Sequence, residues 1–294
     1  MVKDFPVSRI MTKKEDLVTI TIPGNRDILL DKIRETGLSV FPVLKKDSNE
    51  LVGIVSRSDL FRNPDETQIS LLMVREVTTL KPGDKAITAA RIFVREVFQR
   101  IPVVDEDGKT IVGLISRNDL VKKVVVPARI QYDVERYFSP NITVIWEKTP
   151  LTAAASILRL SHQKGIPVID ETQMVGLITQ HDFLKVVEIL DSQSKSRTGH
   201  GAENDSSSWD SESVLIIGSK TLTLPSNMTV SEIMERNVEV CYTGSTISEV
   251  ARKMSSKQFD QLPVVSADGK LLGIINQKDV IRAYVDYYYE NNLS

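Results

Sequence analysis

One eight-residue phrase occurs four times in this chain of 294 residues, and it constrains the fold more than any other feature. The copies read GIVSRSDL, GLISRNDL, GLITQHDF and GIINQKDV, at residues 53–60, 113–120, 176–183 and 273–280. The aspartate always follows the glycine by six residues. Repetition of this kind predicts a fold assembled from copies of one supersecondary unit.

Each copy of the phrase forms the second half of a predicted β-hairpin. An apolar–Pro–apolar tripeptide precedes it, at residues 41–43, 101–103, 166–168 and 262–264. Turn-forming segments such as DEDGK and SADGK lie between the two apolar runs, and Asp-Gly pairs are typical of hairpin turns. The runs themselves predict buried strands, and the proline in the first run favours a strand start or an edge.

A helical pattern precedes each predicted hairpin, at residues 26–36, 86–100, 151–164 and 246–259. Short β-rich pieces such as LVTITI and NITVIW stand before these helices. The predicted unit is therefore strand, helix, strand, strand, helix. A unit of about 55 to 60 residues buries too little apolar surface to be stable alone, so we expect the units to pair.

The spacing of the copies shows where the repetition is interrupted. Successive phrase aspartates are 60, 63 and 97 residues apart, so an insert separates the third and fourth copies. Residues 191–213 contain eight serines and few apolar groups, which is typical of a flexible linker. Residues 214–225 are compatible with an extra strand or with packing over the fourth copy. The predicted divisions are 1–64, 65–125, 126–190, the insert 191–226, and 227–294.

Four such units resemble the cystathionine-β-synthase (CBS) domain, and the lead-ins VSRIM at 7–11 and VSEIM at 230–234 support the resemblance. The resemblance implies an α+β fold of four βαββα repeats, paired into two Bateman modules that form a disc. The layout is similar to the gamma subunit of AMP-activated protein kinase and to stand-alone archaeal proteins. The resemblance also implies that clefts between repeats bind AMP, ADP or ATP, with S-adenosylmethionine or NADH as alternatives, and that no catalytic cofactor is needed.

The residues of the phrase also suggest a binding role on chemical grounds. Ser56 stands where a strand gives way to a helix, and the first helical turn offers unpaired N–H groups to an anion. Asp59 can accept hydrogen bonds from the two hydroxyls of a ribose, and Arg57 can reach a phosphate. Ser116, Arg117 and Asp119 repeat this arrangement. A capping box would explain Ser-x-x-Asp without any ligand, although such a box more typically ends in Glu or Gln.

The four copies are not equivalent. The third keeps Thr179 and Asp182 but has Gln180 and His181 between them, and in the fourth Asn276 replaces the hydroxyl residue while Asp279 remains. Arg100, two residues before Pro102, resembles the basic residue that kinase gamma subunits place at the phosphates. The other copies have Val40, Gly165 and Gln261 at that position. We therefore expect the first module, residues 1 to about 125, to hold the better sites.

Composition limits the remaining possibilities. A net charge of −2 and a pI near 6.0 disfavour nucleic acid as a partner, and a single cysteine excludes an intramolecular disulfide. The three histidines lack metal-ligand spacing, and no apolar run suits a membrane span. We expect Trp146 in the core and residues 284–291 in a final helix packed on the other module.

The sequence thus predicts a non-catalytic, cytoplasmic energy sensor that acts as a homodimer on an unknown regulated protein. Two alternatives stay open. The chain could be an interaction scaffold with vestigial ligand sites, or a nucleic-acid-associated regulator that concentrates its basic residues on one face.

Overall fold

The computed structural model describes residues 4–63, 66–96, 98–161, 163, 165–179, 182–183, 186, 188–194, 217–223, 225, 227–257 and 259–292. The chain divides into two compact units. The major unit comprises Met1–Pro140, Val240–Ser266 and Leu272–Ser294, and the minor unit comprises Asn141–Glu239 and Ala267–Leu271. The predicted α+β class and the four repeats are confirmed.

The described strands are short, and small sheets alternate with helices along the chain. The strands are β1 Thr12–Lys13, β2 Ile20–Ile22, β3 Val40–Lys45, β4 Leu51–Ser56, β5 Arg100–Val104, β6 Ile111–Ser116, β7 Ile145–Trp146, β8 Gly165–Asp170, β9 Gln173–Thr179, β10 Glu188–Ser194, β11 Ile217–Thr223, β12 Cys241–Tyr242, β13 Gln261–Val265 and β14 Leu271–Asn276. The helices are α1 Arg26–Thr36, α2 Arg57–Arg62, α3 Ile69–Leu72, α4 Ala86–Arg95, α5 Arg117–Leu120, α6 Val126–Ala128, α7 Leu151–Ser161, α8 Ile247–Lys257 and α9 Gln277–Asn292. A π-helical turn, Val121–Val125, joins α5 to α6.

The predicted order of elements is present in the first repeat (β2, α1, β3, β4, α2) and in the fourth (β12, α8, β13, β14, α9). In the second repeat the first strand is reduced to a single parallel bridge between Leu80 and Val103. Helix α4 is shorter than predicted, because it ends at Arg95 and Arg100 already belongs to β5. Pro102 favours an extended backbone at Ile101, directly before it, which is consistent with a strand in this segment.

The proline of the repeat does not lie where the sequence predicted. Pro42 is the third residue of β3, which is the central strand of the sheet β2–β3–β4. It pairs with Ile54 of the antiparallel neighbour β4, whereas the parallel pairing with β2 begins at the next residue, Val43. The central strand tolerates the proline because the ladder on its other side starts only after it.

Repeats pair by exchanging their lead-ins. Thr12 of the first lead-in pairs with Leu114 in the second repeat, and Val74 of the second lead-in bridges to Ile54 in the first. In the minor unit, Glu235 of the fourth lead-in bridges to Leu177 of the third repeat. In the major unit, the third lead-in meets the fourth repeat through Ser139 and Ile274. Repeats one and two, and repeats three and four, are therefore partners.

Buried apolar side chains form three cores. The first repeat has its own core around Phe41 and Leu29, and the third repeat has its own around Ile166 and Leu158. The second and fourth repeats share one core, in which α4 and the π-helical turn pack against α8 and α9. Tyr284 of α9 is buried in it, as expected for the final aromatic helix.

Two expectations about single segments need correction. Residues 191–194, predicted as part of the linker, belong to β10, which pairs antiparallel with β11 because both segments can supply a full ladder of backbone hydrogen bonds. Residues 195–216, the rest of the predicted linker, lie outside the described residues. Trp146 is not a core residue: it is 50% exposed, and the ammonium of Lys148 lies 5.3 Å from its ring centre. Its strand is an edge strand with one outward face.

Within the part of the chain that the structure describes, no helix is both long enough and apolar enough to cross a membrane.

Candidate functional site

In the first two repeats the phrase places a hydroxyl and a carboxylate together at the turn from strand to helix. Ser56 donates from its hydroxyl to Oδ2 of Asp59 at 2.6 Å and from its backbone N–H at 2.8 Å. Ser116 and Asp119 repeat these bonds at 2.5 and 3.0 Å, and Asp119 N–H donates to the Ser116 hydroxyl at 3.1 Å. Both turns are capping boxes, so Asp closes a box that more typically uses Glu or Gln.

The third and fourth repeats close the same turn with different side chains. Thr179 donates to Oδ2 of Asp182 from its backbone N–H at 2.9 Å and from its hydroxyl at 2.8 Å. Asn276 uses its amide oxygen instead, which accepts from the N–H groups of Lys278 and Asp279 at 2.8 and 3.2 Å. Asn276 therefore caps its helix well without a hydroxyl. Gln180 and His181 lie outside the described residues.

The second oxygen of the phrase carboxylate faces a cation in repeats two and four. Oδ1 of Asp119 lies 3.0 Å from the ammonium of Lys123, which also donates to the carbonyl of Ile10 at 2.6 Å. Oδ1 of Asp279 lies 3.6 Å from the guanidinium of Arg282. Burial raises the pKa of Asp279, and the backbone N–H of Asn276 and the nearby cations oppose that rise. Each of these two carboxylates thus has a cation of its own helix within ion-pair distance.

Arg100 lies directly beside the phrase of its own repeat. It pairs with Ser116 across strands β5 and β6, and residues paired in this way share one face of the sheet. The guanidinium is partly buried, and desolvation lowers its pKa while the charges of Asp119 and Asp260 act to raise it. Among the described residues it makes no hydrogen bond or ion pair. This position holds Val40 in the first repeat and Gly165 in the third.

Arg117 and Arg57 occupy the same place in their phrases but have different surroundings. One terminal nitrogen of Arg117 donates to the carbonyls of Phe93 and Glu96 at 3.4 and 3.2 Å, so the side chain binds the end of α4. Its guanidinium lies 5.9 Å from the ring centre of Phe93, and its buried Nε has no partner among the described residues. Arg57 is exposed.

The structure brings Arg100, Ser116, Arg117 and Asp119 together. The charge of Asp279 also acts to raise the pKa of Arg117, against the desolvation that lowers it. Ser56, Arg57 and Asp59 stand together in the first repeat, and Thr179 and Asp182 in the minor unit. The sequence analysis missed Lys123, although its spacing of four residues from Asp119 on a helix was a usable signal. It also missed Asp260, which only tertiary packing brings near the arginines.

Metal chemistry finds no support among the described residues, where no three His, Cys, Asp or Glu side chains are grouped so that they could hold an ion.

Comparison with known proteins agrees with the repeated architecture. The family model of the CBS domain matches residues 7–66, 68–126, 134–189 and 230–286. A sequence relative, the uncharacterized protein MJ1225 of Methanocaldococcus jannaschii, is 22% identical over 263 residues, which are 83% of this chain and 86% of that protein.

Two solved structures share the fold over almost their whole length. The crystal structure of an uncharacterized conserved protein from Pyrococcus horikoshii has 29% sequence identity and a TM-score of 0.66, with 95% of this chain and 99% of that chain covered. The crystal structure of MJ1225, described as a candidate archaeal homologue of g-AMPK, has 20% identity and a TM-score of 0.69. It covers 95% of this chain and all of that one.

Proposed function

Because this chain belongs to the CBS-domain family, we propose that it is a non-catalytic regulatory sensor that binds an adenosine compound beside the phrases of its repeats. The observation that carries the proposal is the partly buried guanidinium of Arg100, which has no hydrogen-bonding partner among the described residues and lies opposite Ser116. A desolvated cation of this kind gains most from an anionic ligand, and guanidinium matches phosphate oxygens with paired donors.

The side chains beside Arg100 suit the two polar parts of a nucleotide, its phosphate and its ribose. The phosphate would be held by Arg100, with Arg117 contributing donors not used by the carbonyls of α4. The carboxylate of Asp119, fixed by the cap and by Lys123, would accept from the ribose hydroxyls. AMP, ADP and ATP are the favoured ligands, since the resemblance to the kinase gamma subunit extends to the four-repeat layout. S-adenosylmethionine and NADH are the alternatives.

The site in repeat two is the strongest candidate, and those of the other repeats are weaker. Repeat one offers Ser56, Asp59 and an exposed Arg57 but has Val40 in place of Arg100. Thr179, Asp182 and Asp279 complete the set of proposed contacts in repeats three and four. Ligand binding would change the activity of a regulated protein only if it favours one arrangement of the chain or of a homodimer.

A second function is favoured by one specific observation. All four phrase carboxylates accept hydrogen bonds from their own turns, so capping accounts for the repeated aspartate without a ligand. On this reading the repeats form an interaction scaffold whose sites are vestigial.

Isothermal titration of the purified, nucleotide-free protein with AMP, ADP, ATP, S-adenosylmethionine and NADH separates the two functions. We expect at least one ligand to bind. Arg100→Gln should weaken that binding about tenfold to a hundredfold, since a hydrogen bond to a charged group contributes about 1.5 to 3 kcal/mol. Asp119→Ala should weaken it similarly.

Matched controls distinguish lost contacts from lost stability. Arg95→Gln removes an exposed arginine from the end of α4. Glu232→Ala opens the capping box that Thr229 and Glu232 form outside the phrase. Both controls should bind like the parent protein. If none of the five ligands binds the parent protein, the sensor function is wrong and the scaffold is supported.

A further inference from the structure

In the second repeat, one lysine joins the phrase carboxylate to the backbone of the first repeat. The ammonium of Lys123 lies 3.0 Å from Oδ1 of Asp119 and donates to the carbonyl of Ile10 at 2.6 Å. Ile10 is buried and directly follows the 3₁₀ turn Val7–Arg9 of the first lead-in. Lys123 therefore connects a proposed ribose contact with the segment by which the first repeat is attached to the second.

The fourth repeat contains the same link, built from a different side chain. The guanidinium of Arg282 lies 3.6 Å from Oδ1 of Asp279 and donates to the carbonyl of Tyr137 at 2.8 Å. Its carbon also lies 5.6 Å from the ring centre of Tyr137. Tyr137 follows the 3₁₀ turn Val134–Arg136 of the third lead-in as Ile10 follows that of the first. The two carbonyls are therefore equivalent.

The two links join equivalent groups from unlike positions in the sequence. Lys123 stands four residues after its aspartate and Arg282 three, and both spacings bring side chains together on a helix. The lysine lies in the π-helical turn, whereas the arginine lies within α9. Two different solutions that connect carboxylate, cation and lead-in carbonyl indicate that the link belongs to the pairing of repeats and not to one lysine.

The strength of each link depends on how far water reaches it. The side chains of Asp119 and Asp279 are 16% and 15% exposed, and those of Lys123 and Arg282 are 37% and 46% exposed. The pairs are thus only partly shielded. A ligand bound to the carboxylate replaces water beside the pair, and with less water both the ion pair and the hydrogen bond to the carbonyl become stronger.

We propose that Lys123 and Arg282 are positioning residues that transmit ligand binding at the phrase to the lead-in of the partner repeat. Each holds the carboxylate that receives the ribose and ties it to a backbone carbonyl. A bound ribose tightens the lead-in, and by linkage the tied lead-in improves the affinity for the ligand. This inference rests on the proposed function for the identity of the ligand, but the link itself can be tested without any ligand.

Hydrogen exchange of the full chain, followed by mass spectrometry of peptides covering residues 7–13, measures the first lead-in directly. Saturating AMP should slow exchange there about threefold to tenfold, because opening the lead-in then breaks a stronger hydrogen bond. ATP, measured in parallel, should act in the same direction. Inorganic phosphate has no ribose to bind Asp119 and should leave exchange in these residues unchanged.

Substitutions in the π-helical turn test the role of the cation. Lys123→Met keeps most of the apolar stem and removes the ammonium. It should weaken AMP binding about threefold to tenfold, and residues 7–13 should then exchange equally fast with and without saturating AMP. Lys123→Arg should restore the protection, because Arg282 makes the same link with a guanidinium. Lys122→Met, which removes an equal charge from an exposed neighbour, is the matched control and should behave like the parent.

Asp119→Asn tests the link in the absence of ligand. The amide oxygen can still accept the capping hydrogen bond, but the charge that attracts Lys123 is removed. Exchange in residues 7–13 should become about threefold to tenfold faster. In a Lys123→Met background the same substitution should change exchange there by less than about twofold, since the link is already absent. Circular dichroism verifies that each variant is folded.

The outcomes separate the two proposals. If AMP or ATP binds but protects residues 7–13 equally in Lys123→Met and the parent, the inference is wrong and the sensor function stands. The same conclusion follows if the parent binds them without any protection of these residues. If no adenosine ligand binds, the sensor function fails and the ligand-free comparison decides: additive effects of Asp119→Asn and Lys123→Met overturn the link, and non-additive effects support it.

Discussion

Each repeated phrase begins with a glycine, and the packing around that glycine explains why a larger residue does not fit there. A Cβ built on Gly113 would lie 2.5 Å from the sulfur of Met11 and 2.8 Å from the carbonyl oxygen of Thr12. A Cβ on Gly176 would meet Met234 and the carbonyl of Glu235 at 2.7 and 2.9 Å. In each case the neighbour belongs to the exchanged lead-in of the partner repeat. The glycine is therefore required by repeat pairing and not by the turn.

Gly113→Ala should consequently destabilise the protein by about 1 to 3 kcal/mol, because the added methyl group overpacks a contact that includes backbone. Urea denaturation of both proteins measures the difference. Gly83→Ala is the control, since no atom lies within 4 Å of a Cβ at that position, and its free energy of unfolding should stay within about 0.5 kcal/mol of the parent. An equally small change for Gly113→Ala would contradict the pairing argument.

The phrase aspartates show what single residues could and could not predict. The sequence places Ser116 and Asp119 at a helix start, and it leaves open whether they cap or bind. The structure shows the cap directly, and the binding role remains a proposal. The effect of Asp260 on Arg100 and Arg117 could not have been predicted from the sequence, because nothing near Asp260 in the chain indicates that α5 and α9 pack together. Its relation to Arg100 depends on packing between residues 160 positions apart.

At the scale of elements, helix α9 is fixed to the segment before the third repeat by a cluster of tyrosines and acids. Tyr137 donates to Oδ2 of Asp286 at 3.0 Å, and Tyr132 donates to Glu290. Arg136 lies over both rings, with its guanidinium carbon 5.6 and 5.8 Å from their centres. Burial and the hydrogen bond to Glu290 raise the pKa of Tyr132 to about 12, and burial and Asp286 raise the pKa of Tyr137.

These shifts predict a loss of stability in alkali. An unfolded tyrosine ionises near pH ~10, so between about pH 10 and 12 the unfolded chain holds fewer protons than the folded one. The stabilisation is complete below about pH 10 and is lost as the pH rises through the folded-state pKa values. Urea denaturation across this range should show the decline.

Tyr137→Phe tests the origin of that decline. The variant should be less stable near neutral pH by about 1 kcal/mol, because a buried hydrogen bond is lost, yet its stability should fall less steeply above about pH 10. Tyr242→Phe, at a position 51% exposed, is the control and should fall as steeply as the parent. Parallel pH profiles for the parent and Tyr137→Phe would rule out this account.

Helices and strands could be predicted from the sequence where residues close to them in the chain determine where they begin and end. Helix α1 has the bounds that its helical pattern predicted, residues 26–36. The structure shows why: Asn25 caps its start, and Gly37 ends it in a left-handed conformation with φ 68°. The first strands of the repeats are only two or three residues long, or a single bridge at Leu80. Their β-rich sequences gave no sign of that brevity.

At the scale of the whole molecule, the decisive feature is the core that the second and fourth repeats share. Met254 of α8 is fully buried in it together with Phe93 of α4, although the two residues belong to different repeats. Leu158 of α7 is buried in the separate core of the third repeat. A cavity in one of these cores should therefore loosen the elements that line it and leave the other core unchanged.

Met254→Ala should cost about 2 to 5 kcal/mol by removing buried atoms and leaving a cavity. Native-state hydrogen exchange followed by mass spectrometry should show faster exchange in peptides from α8, α9 and also α4, because these helices line one core. Leu158→Ala is the matched variant, and it should accelerate exchange in α7 and β8 without affecting α4. If Met254→Ala left α4 as protected as in the parent, the second and fourth repeats would not be one cooperative unit. A ligand held by the second repeat would then have no firm mechanical connection to the fourth.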